Sequence, residues 1–413
     1  MDVTPERSED SFDVLIVGGG NAGLSVAARL LRRGVVSVGV MEPLAVHTYR
    51  PLLSYVGGGQ ASRSSAERAQ ASVTPGGCTW LQDSAVGVDT ELQTVRCRSG
   101  RVYRYTDLVL APGLVPDEGE LADVFTALDT EAVASNYLDH AEKTWQLVES
   151  MAVGHAVFTV PRPPVGCTGT TLKPLFLAAA YWRRMGRTDD IDITLVVDRP
   201  DLLGVAEIDD RLRRCLDDFG VQVLNNTSVT GVHPAERKLA VRVGDGVEQK
   251  LPYDLLHLVP PFRGPRWIEE SGLADTGAHG VVDIDPKTFR HRVHANAWAL
   301  GDAANVGTDP SGGAIRRQSA ILVDNMMAAR SGGRFQEYDG YTVAPIATDE
   351  HRLMFGEFDR TGSLSSSLPS FLDPLKPRRW AWAFDRYALP QMYWNLILKG
   401  RLWRSVVPHR SKC

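Results

Sequence analysis

No stretch of the 413-residue chain reaches the roughly 18 consecutive apolar residues that a membrane-spanning helix requires, which excludes a multi-span membrane protein. Cysteine is scarce. Cys78, Cys97, Cys167, Cys215 and Cys413 form no CxxC pair and no metal-ligand spacing, so neither a disulfide framework nor a metal site is expected. The polar start MDVTPERSED lacks the basic and apolar regions of a signal peptide and predicts a chain that stays on the cytoplasmic side. Nothing points to a nucleic-acid partner, and no feature sets the oligomeric state. With 43% hydrophobic and 23% charged residues, the composition excludes disorder and fibres, and the length calls for two or three globular domains.

What is present begins at residue 13. DVLIVGGGNAGLSVAARLLRRG reads as an apolar strand that breaks into glycines and continues at helical spacing, and VVSVGVMEP follows as a second strand ending on Glu42. Leu24, Ala27, Ala28 and Leu31 give the helix one apolar face, as in a βαβ unit packed on a sheet. TWLQDSAVGVD and TVRCRSGRVYRY then predict short strands, before the buried strand DLVLAPG.

A second series of strands and helices occupies 150–260, from GHAVFTVP through LKPLFLAAAYWRRMG and IDITLVVD to LLHLVPP. HANAWALGDAAN then reads as a strand returning to the first domain, followed by a helix from about Gly313 to Arg330. The expected fold class is α/β with two Rossmann-like units, the second inserted into the first. Its domains are 13–115 with 290–335, then 116–289, then a C-terminal region 336–413.

Gly18, Gly20 and Gly23 supply GxGxxG between strand and helix: a tight turn, a close approach for a pyrophosphate, and close helix–strand packing. Asn21 and Ala22 open the helix whose N-terminus faces the phosphates, and Glu42 stands where a carboxylate holds a ribose diol. In register, these residues specify a dinucleotide site. Gly301 and Asp302, after an apolar strand, resemble the carboxy-terminal GD motif of the two-dinucleotide-fold flavoproteins, which implies FAD. The second unit leads from HAVFTV into PRPPVGCTG, with prolines where a nicotinamide site needs glycines.

The pattern narrows further. His47-Thr48-Tyr49-Arg50-Pro51 is similar to HYYQP, and Gly57-Gly58-Gly59 follows it. SNY at 135–137, EKTW at 142–145, Cys167-Thr168-Gly169, LHLVPP at 256–261, YDGY at 338–341 and YWN at 393–395 come in the same order. Together they resemble the sulfide:quinone oxidoreductases from about residue 13 to 404. The resemblance implies two-electron transfer from sulfide or a small thiol through FAD to a quinone. It also implies cofactor contacts at Tyr49, Arg50, Pro51, Val86, Ala111, Pro112, Gly113 and Arg317, with Cys167 against the isoalloxazine as a reactive thiolate. His257 is a candidate proton carrier, a core histidine at a strand end being the alternative. Cys78, Cys97 and Cys215 read as small buried residues.

The chain departs from its relatives at one site. Where they carry a second redox cysteine in YTSCP, this sequence reads Tyr341-Thr342-Val343-Ala344-Pro345. The nearby loop also differs: Pro310-Ser311-Gly312-Gly313 precedes the helix, and Arg316 and Arg317 replace alanines. The usual disulfide cannot form, and a divergent flavoenzyme acting on another small molecule, with Arg316 or Arg317 binding an anion, is the alternative reading. From Lys376 onward nine Lys and Arg face one acid, Asp385, so the tail carries +8 and the remainder −13. Four of the nine tryptophans lie there as well. Residues 376–412 therefore predict contact with the cytoplasmic face of a membrane, against the alternative of a C-terminal helix packed on the body.

Overall fold

The computed structural model describes residues 10–369 and 372–401. Strand β1 (Ser11–Val17), helix α1 (Asn21–Arg32) and strand β2 (Val38–Met41) form the first βαβ unit, with Val14 opposite Val38 and Val17 opposite Met41. The other side of β1 pairs in parallel with β3 (Val102–Leu110). A parallel sheet covered on both faces favours continuous apolar runs, and Val14 to Val17 are buried without interruption.

The sequence reading separated RVYRY from DLVL, but β3 is one nine-residue strand that changes partner along the edge away from β1. Its first half alternates buried and exposed and pairs antiparallel with Thr94–Cys97. Its last half is wholly buried and pairs in parallel with Ala297–Ala299. The change of period in the sequence records a change of neighbour, not a break in the strand.

The second sheet is built on β4 (Gly154–Val160), followed by α2 (Thr168–Arg184) and β5 (Ile191–Val197), with Gly154 opposite Ile191 and Val160 opposite Val197. Strand β6 (Leu255–His257) lies on the far side of β4, and Val133–Ala134 and Gln222–Leu224 close the two edges. Three antiparallel strands between 227 and 252 form a separate small sheet. The two chain crossings between the sheets pair with each other, Val115–Pro116 against Phe262–Arg263.

The returning strand β7 (Ala297–Ala299) leads to α3 (Ile315–Ser331), which packs on α1. A hairpin of β8 (Thr342–Asp349) and β9 (Arg352–Phe358) follows, and β8 lies against α2. Helical turns then run from Arg379 to Ile397, including π-helical stretches at Phe384–Ala388 and Tyr393–Ile397. Among the described residues no helix is long and apolar enough to cross a membrane.

Candidate active site

The first crevice is a glycine cradle. Gly18 has φ +102°, and a Cβ there would run into the Ala111 carbonyl at the end of β3. A Cβ on Gly23 would run into the Gly18 carbonyl, so the helix can approach the strand only as glycine. Gly20, at the N-cap of α1, faces open space. Glu42 accepts the Gly19 N–H at 2.9 Å and the Leu44 N–H at 3.0 Å, which fixes its carboxylate beside the turn. Pro112 follows Ala111, and Gly113 turns the chain away with φ +73°. Val86 sits at a bulge opposite Thr94–Cys97, where the register shifts between Ala85 and Gly87.

The other half arrives from β7. Gly301, at φ +74°, donates its N–H to Gln318 Oε1 at 3.1 Å and lies over Ala22. Asn21 donates to the Gly312 carbonyl at 3.1 Å, closing the two halves across the first turn of α1. Asp302 is half-buried, and its carboxylate accepts no hydrogen bond from a described residue. Burial raises its pKa and the Arg50 guanidinium opposes the rise. An open helix N-terminus beside Gly20 together with an unpartnered carboxylate suits a pyrophosphate with a polyhydroxy chain, so these residues fit FAD. Arg50 also donates to the Tyr137 carbonyl at 3.1 Å, next to Pro51 in a 3-10 turn. Tyr49 packs on Tyr393 and Trp394, with ring centroids at 4.4 and 6.3 Å, so it joins the cradle to the C-terminal segment.

Cys167 lies where the second unit turns from β4 into α2. Its backbone is left-handed, φ 63° and ψ 94°, a conformation that a residue with a Cβ keeps only under restraint, and its side chain is 9% exposed. The restraints can be named. Tyr137 Oη donates toward the carbonyls of Gly166 at 3.2 Å and Cys167 at 3.1 Å. Asp309 accepts the Thr168 N–H at 3.1 Å and the Thr168 hydroxyl. Arg199 donates to Thr168 Oγ1 at 3.1 Å and to the Pro161 carbonyl at 3.0 Å. A Cβ on Gly166 would stand 2.6 Å from Asp302 Oδ2, so the cysteine turn touches the GD motif directly.

Burial pushes the Cys167 thiol up to about 12, the Asp309 carboxylate adds to the rise, and Thr170 and Lys173 oppose it. The expected thiolate is therefore a thiol in the surroundings this chain provides. Ala344, in β8, is fully buried, and a Cβ on Gly169 would stand 2.6 Å from its methyl group. The position where relatives carry a second cysteine thus packs onto the first turn of α2. Cys78, Cys97 and Cys215 are free thiols on other elements. Cys413 lies outside the described residues.

One expectation needs correction. His257 is 0% exposed, stacks on Phe158 with centroids at 5.7 Å, and accepts the Asn136 N–H on Nε2 at 3.1 Å. Burial drives its pKa down to about 3, so it is the neutral core histidine and not a proton carrier. Arg317 pairs with Asp339 at 3.1 Å and lies 3.6 Å from the Tyr341 ring centroid, at the C-terminal hairpin. Arg316 donates to the Gly313 carbonyl at 2.9 Å. Asp117, Glu120 and His279 bring ligand-type atoms within 4.8 Å of one another, but Arg162 pairs with both carboxylates.

Two residues central to the cysteine turn, Arg199 and Asp309, lie in no motif of the sequence, whereas Tyr137 and Thr168 fall in the SNY and Cys167-Thr168-Gly169 matches. Arg199 and Asp309 come from distant segments, and no local pattern marks them. A buried ion pair was missed as well. Lys173 Nζ lies 2.9 Å from Asp385 Oδ2, both side chains are almost wholly buried, and Tyr55 donates to the same oxygen at 2.7 Å.

Comparison with known proteins gives consistent results. Residues 12–159 match the family model described as pyridine nucleotide-disulphide oxidoreductase. The mitochondrial sulfide:quinone oxidoreductase of Mus musculus is 30% identical over 398 residues, covering 95% of this chain and 88% of its own. That of Dictyostelium discoideum is 31% identical over 393 residues, covering 94% and 86%. The X-ray structure of the sulfide:quinone oxidoreductase from Aquifex aeolicus superposes with a TM-score of 0.77 at 16% identity, covering 94% of this chain and 91% of that one, a likeness of fold.

Proposed function

The chain belongs to the sulfide:quinone oxidoreductase family, and from that premise we propose that it oxidises sulfide or a small thiol at Cys167 and passes two electrons to a quinone. It is an FAD-dependent oxidoreductase. Bound at the Gly18–Gly23 cradle and the Gly301-Asp302 turn, FAD supplies a two-electron acceptor on the donor side and a reductant for the quinone. The observation that carries the proposal is the contact of Gly166 with Asp302, which brings the restrained Cys167 turn to the cofactor motif.

The chain's own residues orient and shield this sulfur. Tyr137 and Asp309 hold the turn, and Ala344 and Ile346 close the side of α2 at Gly169, where a Cβ would stand 2.6 and 3.0 Å from them. With alanine at 344 and the other described thiols elsewhere, Cys167 works without a disulfide partner among the described residues. The sulfur it accepts must then leave to an external nucleophile.

A second reading, the same cofactor chemistry applied to another small molecule, is favoured by Ala344. The C-terminal helical turns expose Trp380, Phe384, Tyr387 and Leu396 between basic residues, which supports contact with a membrane surface as the quinone's route. The part of the predicted tail beyond residue 401 lies outside the described residues.

Anaerobic titration separates the readings. Sulfide should bleach the flavin of the wild type, and Cys167→Ala should retain flavin but lose bleaching. Bleaching by some other donor, with none by sulfide or thiols, would overturn the sulfide assignment.

A further inference from the structure

We infer that Asp309 reinforces burial in holding Cys167 as a thiol, acting from the N-terminus of α2. The inference deepens the reading of Cys167 as the reacting sulfur and rests on it.

A cysteine at the start of a helix ordinarily ionises readily, because the unpaired N–H groups of the first turn and the helix dipole favour a negative charge there. Here the Thr168 donors are already taken, although Thr170 still favours a charge on the sulfur. Asp309 arrives on the loop after the GD motif and accepts both the Thr168 N–H and the Thr168 hydroxyl, on the residue that follows Cys167. A second negative charge on Cys167 would have to stand beside that carboxylate.

The other groups around the turn do not reverse the balance. Arg199 is turned to Thr168 Oγ1 and the Pro161 carbonyl, while Lys173 is paired with Asp385. Arg50 interacts with Asp302, a second carboxylate, which touches Gly166. Tyr137 directs its hydroxyl to backbone carbonyls. The carboxylate of Asp309 is the strongest charge acting on the thiol. Burial lifts Asp309 itself to about 6, against its hydrogen bonds from Thr168, so it remains ionised at neutral pH.

The step it governs is a proton transfer: the S–H bond breaks, the proton leaves, the electron pair stays on Sγ, and nothing is oxidised or reduced. With Ala344 in place of a partner cysteine, the resting sulfur cannot be stored as a disulfide there. Burial and the charge of Asp309 together hold it as a thiol instead.

The test reads alkylation of Cys167 by iodoacetamide across pH in the flavin-loaded enzyme, resolved by peptide mass spectrometry with Cys78, Cys97 and Cys215 as internal references. Asp309→Asn keeps an acceptor for Thr168 without the charge, and the half-maximal pH at Cys167 should fall by roughly one unit. Asp309→Glu keeps the charge and should stay at the wild-type midpoint. Should the asparagine variant not fold, Asp309→Ser makes the same measurement. A folded neutral variant with an unchanged or higher midpoint overturns the inference, as does a glutamate variant that shifts equally. The alkylation needs no sulfide, so a wild type that sulfide fails to bleach counts against the proposed function alone.

Discussion

The molecule contains the same βαβ arrangement twice, and the two copies meet their ligands in opposite ways. In β1–α1–β2 the helix begins at Gly20 with open space before it, and the acid after the second strand, Glu42, holds the turn from the side. In β4–α2–β5 the helix N-terminus is met by the chain itself: Asp309 binds the Thr168 N–H and hydroxyl, and Arg199, after the second strand, reaches back to Thr168. The first crevice is left for an external anion, whereas the second holds an internal one and presents a cysteine. On the proposed reading, the same backbone geometry serves cofactor binding once and sulfur positioning once, according to whose carboxylate or phosphate meets the helix.

The largest test of this contrast is paired. Gly23→Ala forces a methyl group into the Gly18 carbonyl and should reduce bound flavin to background, read as the ratio of flavin to protein absorbance. Gly169→Ala meets the Ala344 methyl group, should keep flavin, and should disturb only the reaction of Cys167. Flavin loss in both would break the contrast. Next in size, Lys173→Met leaves Asp385 as an uncompensated buried charge and should cost about 3–5 kcal/mol in denaturant unfolding. The double variant Lys173→Met/Asp385→Leu should recover most of that loss.

A smaller effect concerns His257. Its imidazole stays neutral in the fold down to about 3 but takes a proton near 6.5 once unfolded. The unfolded chain therefore binds more protons between those values, and stability is lost as pH falls through that window, by up to about 1.4 kcal/mol per pH unit from this group. His257→Gln should remove this share of acid sensitivity and leave the pH profile of sulfide-driven flavin reduction unchanged. An altered catalytic profile would return His257 to the role of proton carrier. The smallest effect on the fold is expected from replacing Trp380, Phe384 and Tyr387 with serine. Sedimentation with anionic vesicles should fall, while the melting temperature moves little, because these side chains are exposed, Tyr387 by 57%.

The cradle was legible because its requirements are local. Gly18, Gly20, Gly23 and Glu42 lie within one βαβ unit, and each answers to a steric or hydrogen-bonding demand of its own turn. Cys167 was visible only through the family pattern, and of its surroundings only Tyr137 and Thr168 fell in matched motifs, while Arg199 and Asp309 did not. His257 shows the reverse error, since a motif position does not say which neighbour takes the side chain. The core around Phe158 took it.

The sequence by itself determined the α/β class, the dinucleotide cradle and the absence of a second cysteine at Ala344, because backbone period, glycine sterics and residue identity are written in order along the chain. Only the tertiary structure decided that the helix after Cys167 meets Asp309, that Asp302 lies against Gly166, and that Lys173 is matched by Asp385. Each brings a carboxylate to a segment more than a hundred residues away. Their energies depend on burial and distance, which no local pattern encodes.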